Sequence, residues 1–368
     1  MVARHANQPV QRLLVVMPTW LGDVIMATPT LRALRELYPE AHVAGLVRES
    51  VRPILAGCPW LNELIGVRHD RGEHRPTGLA RRLAAEQFDT AVLLPNSFRT
   101  AMAVAMARIP RRVGYDREGR GLLLTDRLLP SPLGRSRLAV PTLDYYLAIA
   151  CYMGAASPGH AMALFTEPGE EQSADALLQR VGWEASGDRP LVLLNPGSQR
   201  ASKRWPADRF AAVADHCARQ WQAQVALIGA PDEQPIAKQV IAAADTALLN
   251  LPAEGLDLAT LKAVVRRSSL VITNDSGPRH LAAAFGVPVV TLFGPTAPRW
   301  TEIHFADERQ VLAPGTAASM KAVDESDACR MDRIEVDAVL EAVTALMTRS
   351  EAEDATASTA EPPRKEAS

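Results

Sequence analysis

Three observations predict an α/β protein with two doubly wound domains that face each other across a cleft. The chain has 368 residues, which is long for one hydrophobic core and sufficient for two. Short apolar runs alternate with amphipathic stretches along most of its length, as is typical of parallel strands connected by helices. A polar stretch with Pro and Gly interrupts the alternation near the middle, where a domain boundary is expected.

The first half is predicted to contain three strands and three helices. The strands span residues 13–17, 43–47 and 90–94, and the helices span residues 24–37, 97–108 and 143–153. Each strand is a short apolar run, and each helix has apolar residues three or four positions apart. Residues 111–137, rich in Gly, Arg and Leu, break this pattern and are predicted to form a loop or lid.

The second half is predicted to contain five strands and five helices. The strands span residues 191–194, 224–228, 247–249, 270–273 and 289–293. The helices span residues 210–221, 234–243, 258–267, 279–285 and 336–349. The chain therefore divides into a first domain at 11–165, a linker at 166–187, a second domain at 188–330, a C-terminal helix at 331–349 and a disordered tail at 350–368.

The charges are distributed unevenly. The formal charge of the whole chain is −2, which argues against a general nucleic-acid-binding protein. Residues 1–160 nevertheless contain 20 Arg, no Lys and 13 Asp or Glu, for a net +7, so the remainder carries −9. A positive first half suits an anionic partner, such as a phosphorylated substrate or an acidic membrane surface. An Arg-rich surface without a binding role is the alternative.

The cysteine pattern and the hydropathy indicate a cytoplasmic protein. The four cysteines are scattered and form no C-x-x-C pair, so neither a zinc site nor a disulfide framework is indicated. The N-terminal segment lacks the apolar core of a signal peptide, and no apolar run has the length of a membrane span.

The first candidate site is the sequence LLVVMPTWLGDVIMATP, in which a strand, a turn and a helix follow one another. Gly22 permits a tight turn or the close approach of a ligand. Asp23 lies at the carboxyl end of the strand, where ligands collect in doubly wound sheets, and could accept a proton from a substrate hydroxyl. The structural alternative is that Asp23 caps the helix. The turn contains no G-x-G-x-x-G, which disfavours a dehydrogenase.

The second candidate site is NPGSQRASKRWP, which directly follows the strand at 191–194. Ser198, Lys203 and Arg204 place a hydroxyl and two cations just before a helix, an arrangement that suits a diphosphate. Lys203 is the first lysine of the chain, after a long stretch in which every cation is an arginine, and this indicates a specific need for an ammonium group. A solvated loop is the alternative.

The third candidate site is TNDSGPRHLAAAFGVP. The N–H groups of Ser276 and Gly277 precede a helix and can bind an anion. His280 lies four residues after Ser276, so both can face the same ligand. Asp275 is expected to point to sugar hydroxyls or to hold Lys203, because a phosphate would repel it. A capping Asp with a surface His is the alternative.

Further candidates follow other strands. Glu233 lies in IGAPDEQ, where the diol of a ribose could be held, and an ordinary acid at the start of a helix is the alternative. The first domain offers polar residues for a second, phosphorylated substrate. These are Asn96, Ser97 and Arg99 in LPNSFRTA, and Arg111, Arg112, Arg117 and Arg120 in the segment predicted to be a loop.

Taken together, these motifs resemble glycosyltransferase family 9. The pieces P-x-W-x-G-D, LPNSF, PG…KRWP, TNDSG-x-x-H-x-AAA and L-F-GPT-x-P follow in order between about residues 13 and 345. The resemblance implies a GT-B architecture with two Rossmann-like domains, the first binding the acceptor and the second the nucleotide sugar. It also implies inverting transfer of heptose from ADP-heptose to the phosphorylated inner core of lipopolysaccharide, at the cytoplasmic face of the inner membrane and in peripheral contact with its anionic lipids.

The resemblance also assigns residues. The catalytic base of the family falls on Asp23, and the donor-binding residues fall on Lys203, Asp275, Ser276, Gly277 and His280, with Ser198 and Glu233 less securely matched. In the hypothesis built on it, Asp23 deprotonates the acceptor hydroxyl, and Lys203 and Arg204 stabilise the charge that develops on the leaving ADP.

The sequence also predicts transfer without a metal ion or another cofactor. No D-x-D triplet occurs in the chain. Glycosyltransferases that bind a metal on the diphosphate usually need such paired carboxylates. Lys203, Arg204 and the start of the helix after Ser276 could supply the positive charge instead.

The chain departs from the family pattern in three places. The segment between Gly197 and Lys203 is one residue shorter than in well-known relatives. Pro278 and Arg279 replace the usual apolar residue before His280, which would add a charge beside the diphosphate. Some relatives have a cysteine cluster near residues 315–331, where this chain has only Cys329. None of these departures removes a central residue of the motifs.

Two alternatives remain open from the sequence. One is a member of the same family with a different acceptor, such as another core sugar or a protein, because acceptor choice depends on first-domain loops that a single sequence does not decode. The other is a non-catalytic nucleotide-sugar-binding protein on the same fold. Asp23 argues against the second, because a pure binding protein needs no base opposite the phosphates.

Overall fold

The computed structural model describes residues 9–68, 72–73, 75–129, 140–183, 189–319 and 322–359. These residues form two parallel sheets, each covered by helices, and the predicted α/β fold with two doubly wound domains is confirmed. The strand order is β3-β2-β1-β4-β5-β6 in the first sheet and β12-β11-β10-β7-β8-β9 in the second, with strands numbered along the chain. Each order reverses once, between β1 and β4 and between β7 and β10.

The first domain alternates strands and helices. Its strands are β1 Arg12–Val16, β2 His42–Arg48, β3 Glu63–Val67, β4 Thr90–Leu93, β5 Arg111–Tyr115 and β6 Asp126–Leu128. Its helices are α1 Leu21–Met26, α2 Thr28–Leu37, α3 Pro76–Ala85, α4 Phe98–Met106 and α5 Thr142–Met153. The central strands β1 and β4 are almost completely buried, because helices cover both faces of the sheet.

The second domain repeats the same order. Its strands are β7 Leu191–Asn195, β8 Gln224–Leu227, β9 Leu249–Asn250, β10 Leu270–Asn274, β11 Val289–Phe293 and β12 Glu308–Leu312. Its helices are α6 Pro168–Arg180, α7 Ala207–Trp221, α8 Gln234–Ala243, α9 Leu258–Arg266, α10 Gly277–Phe285 and α11 Val336–Thr359. The residues of β7, β10 and β11 are all buried, and these strands form the centre of the sheet.

The segment predicted to be a loop or lid, residues 111–137, instead contributes two strands, so that prediction is wrong for its described part. Arg111 lies in β5 and is buried against Asp126 of β6, with 3.3 Å between Arg111 Nη2 and Asp126 Oδ1. Arg112 Nε donates to the carbonyl of Leu123 at 2.6 Å. The charged residues interrupt the apolar pattern that predicts a strand. They fit into the strands because Arg111 pairs with Asp126 and Arg112 donates to a backbone carbonyl inside the domain. Residues 130–139 lie outside the described residues.

The predicted linker at 166–187 is not a plain connection, because α6 lies within it. A capping box starts this helix: Glu167 accepts a hydrogen bond from the backbone of Glu170, and the Glu170 side chain accepts one from the backbone N–H of Glu167. The buried face of α6 includes Ala174, Leu177 and Leu178, which pack in the hydrophobic core. The helix was not predicted because most residues of this segment are polar and its few apolar residues give a weak helical pattern.

The C-terminal helix also differs from its predicted bounds. α11 continues to Thr359, so residues 350–359 are helical rather than part of a disordered tail, and residues 360–368 lie outside the described residues. Val339, Val343 and Leu346 of α11 are buried in the core of the second domain. The helix therefore packs on the domain that precedes it.

The two domains meet through α1 and α10. Buried apolar residues of both domains belong to one continuous cluster, which includes Val24 and Ile25 of α1 and Leu281 of α10. A Cβ added to Gly22 would lie 2.7 Å from Cδ2 of His280, so only a glycine fits at this position without a shift of the ring. The first turns of α1 and α10 are therefore in direct contact.

Candidate active site

The candidate site lies where the strand orders reverse. Most residues proposed in the first domain follow β1 and β4, and most of those proposed in the second follow β7 and β10; the exceptions include Arg120 after β5 and Glu233 after β8. In doubly wound sheets, ligands bind outside the carboxyl ends of the strands at this point. The contact between α1 and α10 brings the two sets of loops together.

Two asparagines connect the loops of the second domain. Asn195, the last residue of β7, donates from Nδ2 to Thr273 Oγ1 at 3.0 Å and to Ser276 Oγ at 2.9 Å. Asn274, the last residue of β10, donates from Nδ2 to the carbonyl of Pro196 at 2.9 Å. Both asparagines are buried, so these bonds fix the two loops relative to each other.

Lys203 and Asp275 form an ion pair across the same two loops. Lys203 Nζ lies 2.7 Å from Asp275 Oδ2, and the Asp275 side chain is 7% exposed. Burial alone would raise the pKa of Asp275, but the neighbouring charges of Lys203 and Arg279 hold that pKa below its ordinary value. Of the two contacts expected for Asp275, the structure shows the one with Lys203.

The start of α10 offers two backbone donors. Ser276 is the N-cap residue, and its side chain forms no cap hydrogen bond because its oxygen accepts from Asn195. Among the described residues, the N–H groups of Ser276 and Gly277 have no hydrogen-bond acceptor. Free N–H groups at the positive end of a helix form a site for an anionic group.

His280 is held as a neutral imidazole. It is 4% exposed, and no atom in the described part of the chain forms a hydrogen bond with its Nδ1. Burial, with Arg279 as the next cause, lowers the pKa of His280 to about 3. A neutral imidazole at the contact between the domains can orient a ligand without adding a charge.

Arg279 lies beside the candidate anion site, as the sequence predicts: Nη1 is 3.9 Å from Asp275 Oδ1, and its charge is among the causes that lower the pKa of Asp275 and of His280. Its side chain is fully buried, and Nε lies 2.5 Å from Glu308 Oε1 of β12. Arg279 Nη1 also donates to the carbonyl of Thr301 at 2.8 Å. Its main ion-pair partner is therefore Glu308, and this pair joins α10 to the edge strand.

Asp23 contrasts with these paired groups. The helix α1 starts at Leu21 after Trp20, so Asp23 lies within the first turn and does not cap the helix. None of the described residues forms a hydrogen bond or an ion pair with its carboxylate. Burial raises the pKa of Asp23 from 3.8 to about 6, and its charge contributes to the raised pKa of Tyr146. A carboxylate with a pKa near neutrality and free oxygens is suited to accept a proton.

The remaining donor candidates surround the loop after β7. Ser198 is 5% exposed, and its carbonyl accepts a hydrogen bond from Arg204 Nε at 2.8 Å. Glu233 Oε2 accepts from the backbone N–H of Ala230 at 2.9 Å. Arg204 thus holds the loop that carries Ser198, while Glu233 lies at the carboxyl end of β8.

The acceptor candidates of the first domain have separate roles. Asn96 Oδ1 accepts hydrogen bonds from Tyr145 Oη at 2.9 Å and from Arg120 Nη2 at 3.2 Å. Ser97 caps α4 by accepting from the backbone N–H of Thr100. Arg99 is exposed in the first turn of the same helix.

Arg120 was predicted to contact the acceptor directly, but the structure shows it in a supporting role instead. It has no exposed surface, and its guanidinium donates to the carbonyls of Pro95 and Tyr115. These carbonyls draw the side chain inward, where it positions the loop that carries Asn96.

Asn195, Tyr145 and the pair of Arg279 with Glu308 are site features that the sequence motifs did not indicate. Asn195 is the first letter of the second motif and ends a strand, which is a signal that could have been used. The partners of the other residues are distant in sequence, so only the fold reveals them.

Comparisons with known proteins agree on one family. Residues 77–330 match the model of glycosyltransferase family 9 (heptosyltransferase). Lipopolysaccharide heptosyltransferase 2 of Salmonella typhimurium is 30% identical over 304 residues, which cover 79% of this chain and 84% of the relative. Lipopolysaccharide heptosyltransferase 2 of Escherichia coli is 28% identical and covers 93% of this chain and 100% of the relative.

Solved structures show the same fold. A family 9 glycosyltransferase from Veillonella parvula superposes with a TM-score of 0.80 at 24% identity, covering 94% of this chain and 99% of that structure. The ADP-heptose lipopolysaccharide heptosyltransferase II of E. coli superposes with a TM-score of 0.77 at 26% identity, covering 93% of this chain and 100% of that structure.

Proposed function

Because the chain belongs to glycosyltransferase family 9, we propose that it transfers heptose from ADP-heptose to the inner core of lipopolysaccharide, with inversion and without a metal ion. The relatives named lipopolysaccharide heptosyltransferase 2 support the sugar and the acceptor, and the solved structure named ADP-heptose lipopolysaccharide heptosyltransferase II supports the donor. The observation that carries the proposed chemistry is the carboxylate of Asp23, which has no partner among the described residues and lies in the helix that contacts the start of α10.

The donor is proposed to bind to the second domain. The diphosphate would accept hydrogen bonds from the N–H groups of Ser276 and Gly277 and lie near the ammonium of Lys203. Asp275 holds Lys203 in place and thereby positions its charge. The remaining candidates contact the rest of the nucleotide sugar or add a second cation; they are Ser198, Arg204, Glu233 and His280.

The transfer is proposed to be a single displacement. The acceptor hydroxyl oxygen attacks the anomeric carbon of heptose while the bond from that carbon to the diphosphate oxygen breaks. The hydroxyl proton passes to Asp23, and ADP leaves with the bonding electron pair. Attack opposite the leaving group inverts the anomeric carbon.

The positive groups of the second domain support metal-independent transfer. Charge develops on the ADP oxygens as the bond breaks, and fixed donors directed at such charge are an efficient source of catalysis. Lys203, Arg204 and the start of α10 provide donors at this place.

The acceptor is proposed to approach the first domain. Asn96, Ser97 and the exposed Arg99 lie on the loop after β4 and in the first turn of α4. The net +7 of residues 1–160 supports contact with a phosphorylated glycolipid and with the anionic inner face of the inner membrane. Within the described ranges, no helix is both long enough and apolar enough to cross a membrane.

The test is to incubate the purified full-length protein with ADP-heptose and a lipopolysaccharide core acceptor in the presence of EDTA. We expect ADP release that matches heptose incorporation, with an inverted anomeric configuration by NMR. Activity that requires added Mg²⁺ or Mn²⁺ would contradict metal independence. ADP-heptose binding without transfer to any core or protein acceptor would favour the non-catalytic alternative, and transfer to another acceptor would favour a different family 9 activity.

A further inference from the structure

A cluster of three side chains lies between the domains and takes no part in the proposed transfer. It consists of Asp144 in the first turn of α5, His160 in the connection from α5 to α6, and His304 in the segment between β11 and β12. One ligand atom from each residue lies within 4.8 Å of the other two. Both domains and the connection between them therefore contribute to the cluster.

The two imidazoles face the same carboxylate. His160 Nε2 lies 2.8 Å from Asp144 Oδ1, and His304 Nε2 lies 3.9 Å from Asp144 Oδ2. The ring centroids of the two histidines are 4.5 Å apart. Two nitrogen donors and one carboxylate oxygen that converge in this way form a suitable ligand set for zinc.

A fourth residue supports this arrangement from behind. Glu302 Oε1 lies 3.7 Å from His304 Nδ1, on the ring nitrogen that does not face Asp144. Histidines that bind a metal usually direct their other ring nitrogen to a carboxylate or carbonyl, which fixes the ring orientation. An isolated ion pair of Asp144 with His160 would not need Glu302 beside His304, so the position of Glu302 favours a metal site.

The geometry is open enough for an ion to enter. The side chains of His160, Asp144 and His304 are 46%, 34% and 37% exposed. Zinc bonds of about 2.0–2.2 Å place tetrahedral ligand atoms about 3.3 Å apart, so side-chain shifts of roughly 1 Å would complete the site. A water molecule would take the fourth position.

We propose that Asp144, His160 and His304 bind one zinc-class transition-metal ion that ties the two domains together. The ion interacts with all three segments only when they are close, so it favours the domain arrangement described above. Thr142 Oγ1 already donates to the carbonyl of Trp300 at 3.1 Å beside the cluster, so α5 and this second-domain segment are in contact. The proposal does not depend on the donor or acceptor proposed above.

The test is a calorimetric titration of the tag-free, full-length protein with Zn²⁺ and separately with Mg²⁺. We expect one Zn²⁺ per chain and no comparable Mg²⁺ binding, because Mg²⁺ prefers oxygen ligands. Asp144→Asn, His160→Ala and His304→Ala should each weaken Zn²⁺ binding by about 100-fold or more, and Glu302→Gln by about 10-fold.

Two control variants separate this site from others. His42→Ala removes a histidine that lies 3.4 Å from Glu63 and is not part of the cluster, and Cys151→Ser removes an exposed thiol from α5. Both should bind Zn²⁺ like the unchanged protein. Loss of binding in either control, or unchanged binding in the three ligand variants, would overturn the assignment.

A second measurement tests the connection between the domains. Zn²⁺ should slow amide hydrogen exchange at the start of α5 and in residues 301–307, and it should raise Tm by several degrees. The His304→Ala variant should show neither response. If each of the three ligand variants lowered Tm by the same amount with Zn²⁺ as without it, the cluster would be an ion pair alone, and the metal site would be refuted.

Discussion

Asp23 and Asp275 are both acidic residues at the carboxyl ends of central strands, but their surroundings differ. Asp275 is paired with Lys203 at 2.7 Å, and its pKa is lowered despite burial. Asp23 has no partner among the described residues, and burial raises its pKa to about 6. The difference separates a carboxylate that holds a cation in place from one that is free to accept a proton.

The largest expected effect is on turnover when Asp23 is replaced. Asp23→Asn removes the proton acceptor but keeps the size of the side chain, so kcat should fall by about 10²–10⁴-fold. Steady-state kinetics measure this loss, and calorimetry should show that ADP-heptose still binds. Asp208→Asn, which changes an exposed acid in the first turn of α7, is the control and should retain activity. Near-normal turnover in Asp23→Asn would show that another group is the base.

Replacement of Asp275 should act through stability and donor binding. Asp275→Asn leaves Lys203 without its partner in a largely buried place, which should cost about 3 kcal/mol of unfolding free energy. Chemical denaturation measures this cost, and donor affinity should fall because the ammonium is no longer positioned. Glu49→Gln, which breaks an exposed pair with Arg52, should change stability little. If Asp275→Asn and Glu49→Gln changed the unfolding free energy equally, Asp275 would not be a carboxylate that holds a buried cation in place.

The pH dependence of turnover sharpens the comparison. Asp23 must be ionised to accept a proton, so kcat should rise about tenfold per pH unit below about pH 6 and level off above it. Asp275 has a lowered pKa and stays ionised across this range, so it should not contribute to the profile. A kcat profile without a transition between about pH 5 and 7 would contradict the raised pKa of Asp23.

The smallest effect is a gain in stability from the same Asp23→Asn change. A carboxyl group with a raised pKa binds protons more tightly in the folded state, so its contribution becomes unfavourable as pH rises from about 4 to 6. At about pH 7 the variant should therefore be more stable by on the order of 2 kcal/mol, while at about pH 3 the two proteins should be equal. Denaturation at both pH values measures the difference, and a variant that is less stable at neutral pH would contradict the argument.

The sequence predicted the centre of each domain better than its edges. β1, β7, β10 and β11 are continuous apolar runs because helices bury both of their faces, and they were predicted to within one residue at each end. The edge strands β3 and β12 are partly exposed and carry polar residues, so their patterns are weaker and no strand was predicted there.

The candidate site was predictable where its residues share a motif. Asp275, Ser276, Gly277 and His280 lie within six positions, so one strand end indicates them all. The sequence predicts that Asp275 contacts either sugar hydroxyls or Lys203, and the fold places Lys203 2.7 Å from Asp275 by bringing the two loops together. The inward turn of Arg120 was not predictable, because it depends on carbonyl groups of other loops.

The buried pair of Arg279 with Glu308 should constrain how these two positions vary among members of the family. Either residue alone would leave a buried charge without its main partner, so the two positions should change together during divergence. Relatives with an apolar residue at the position of Arg279 should therefore lack an acid at the position of Glu308.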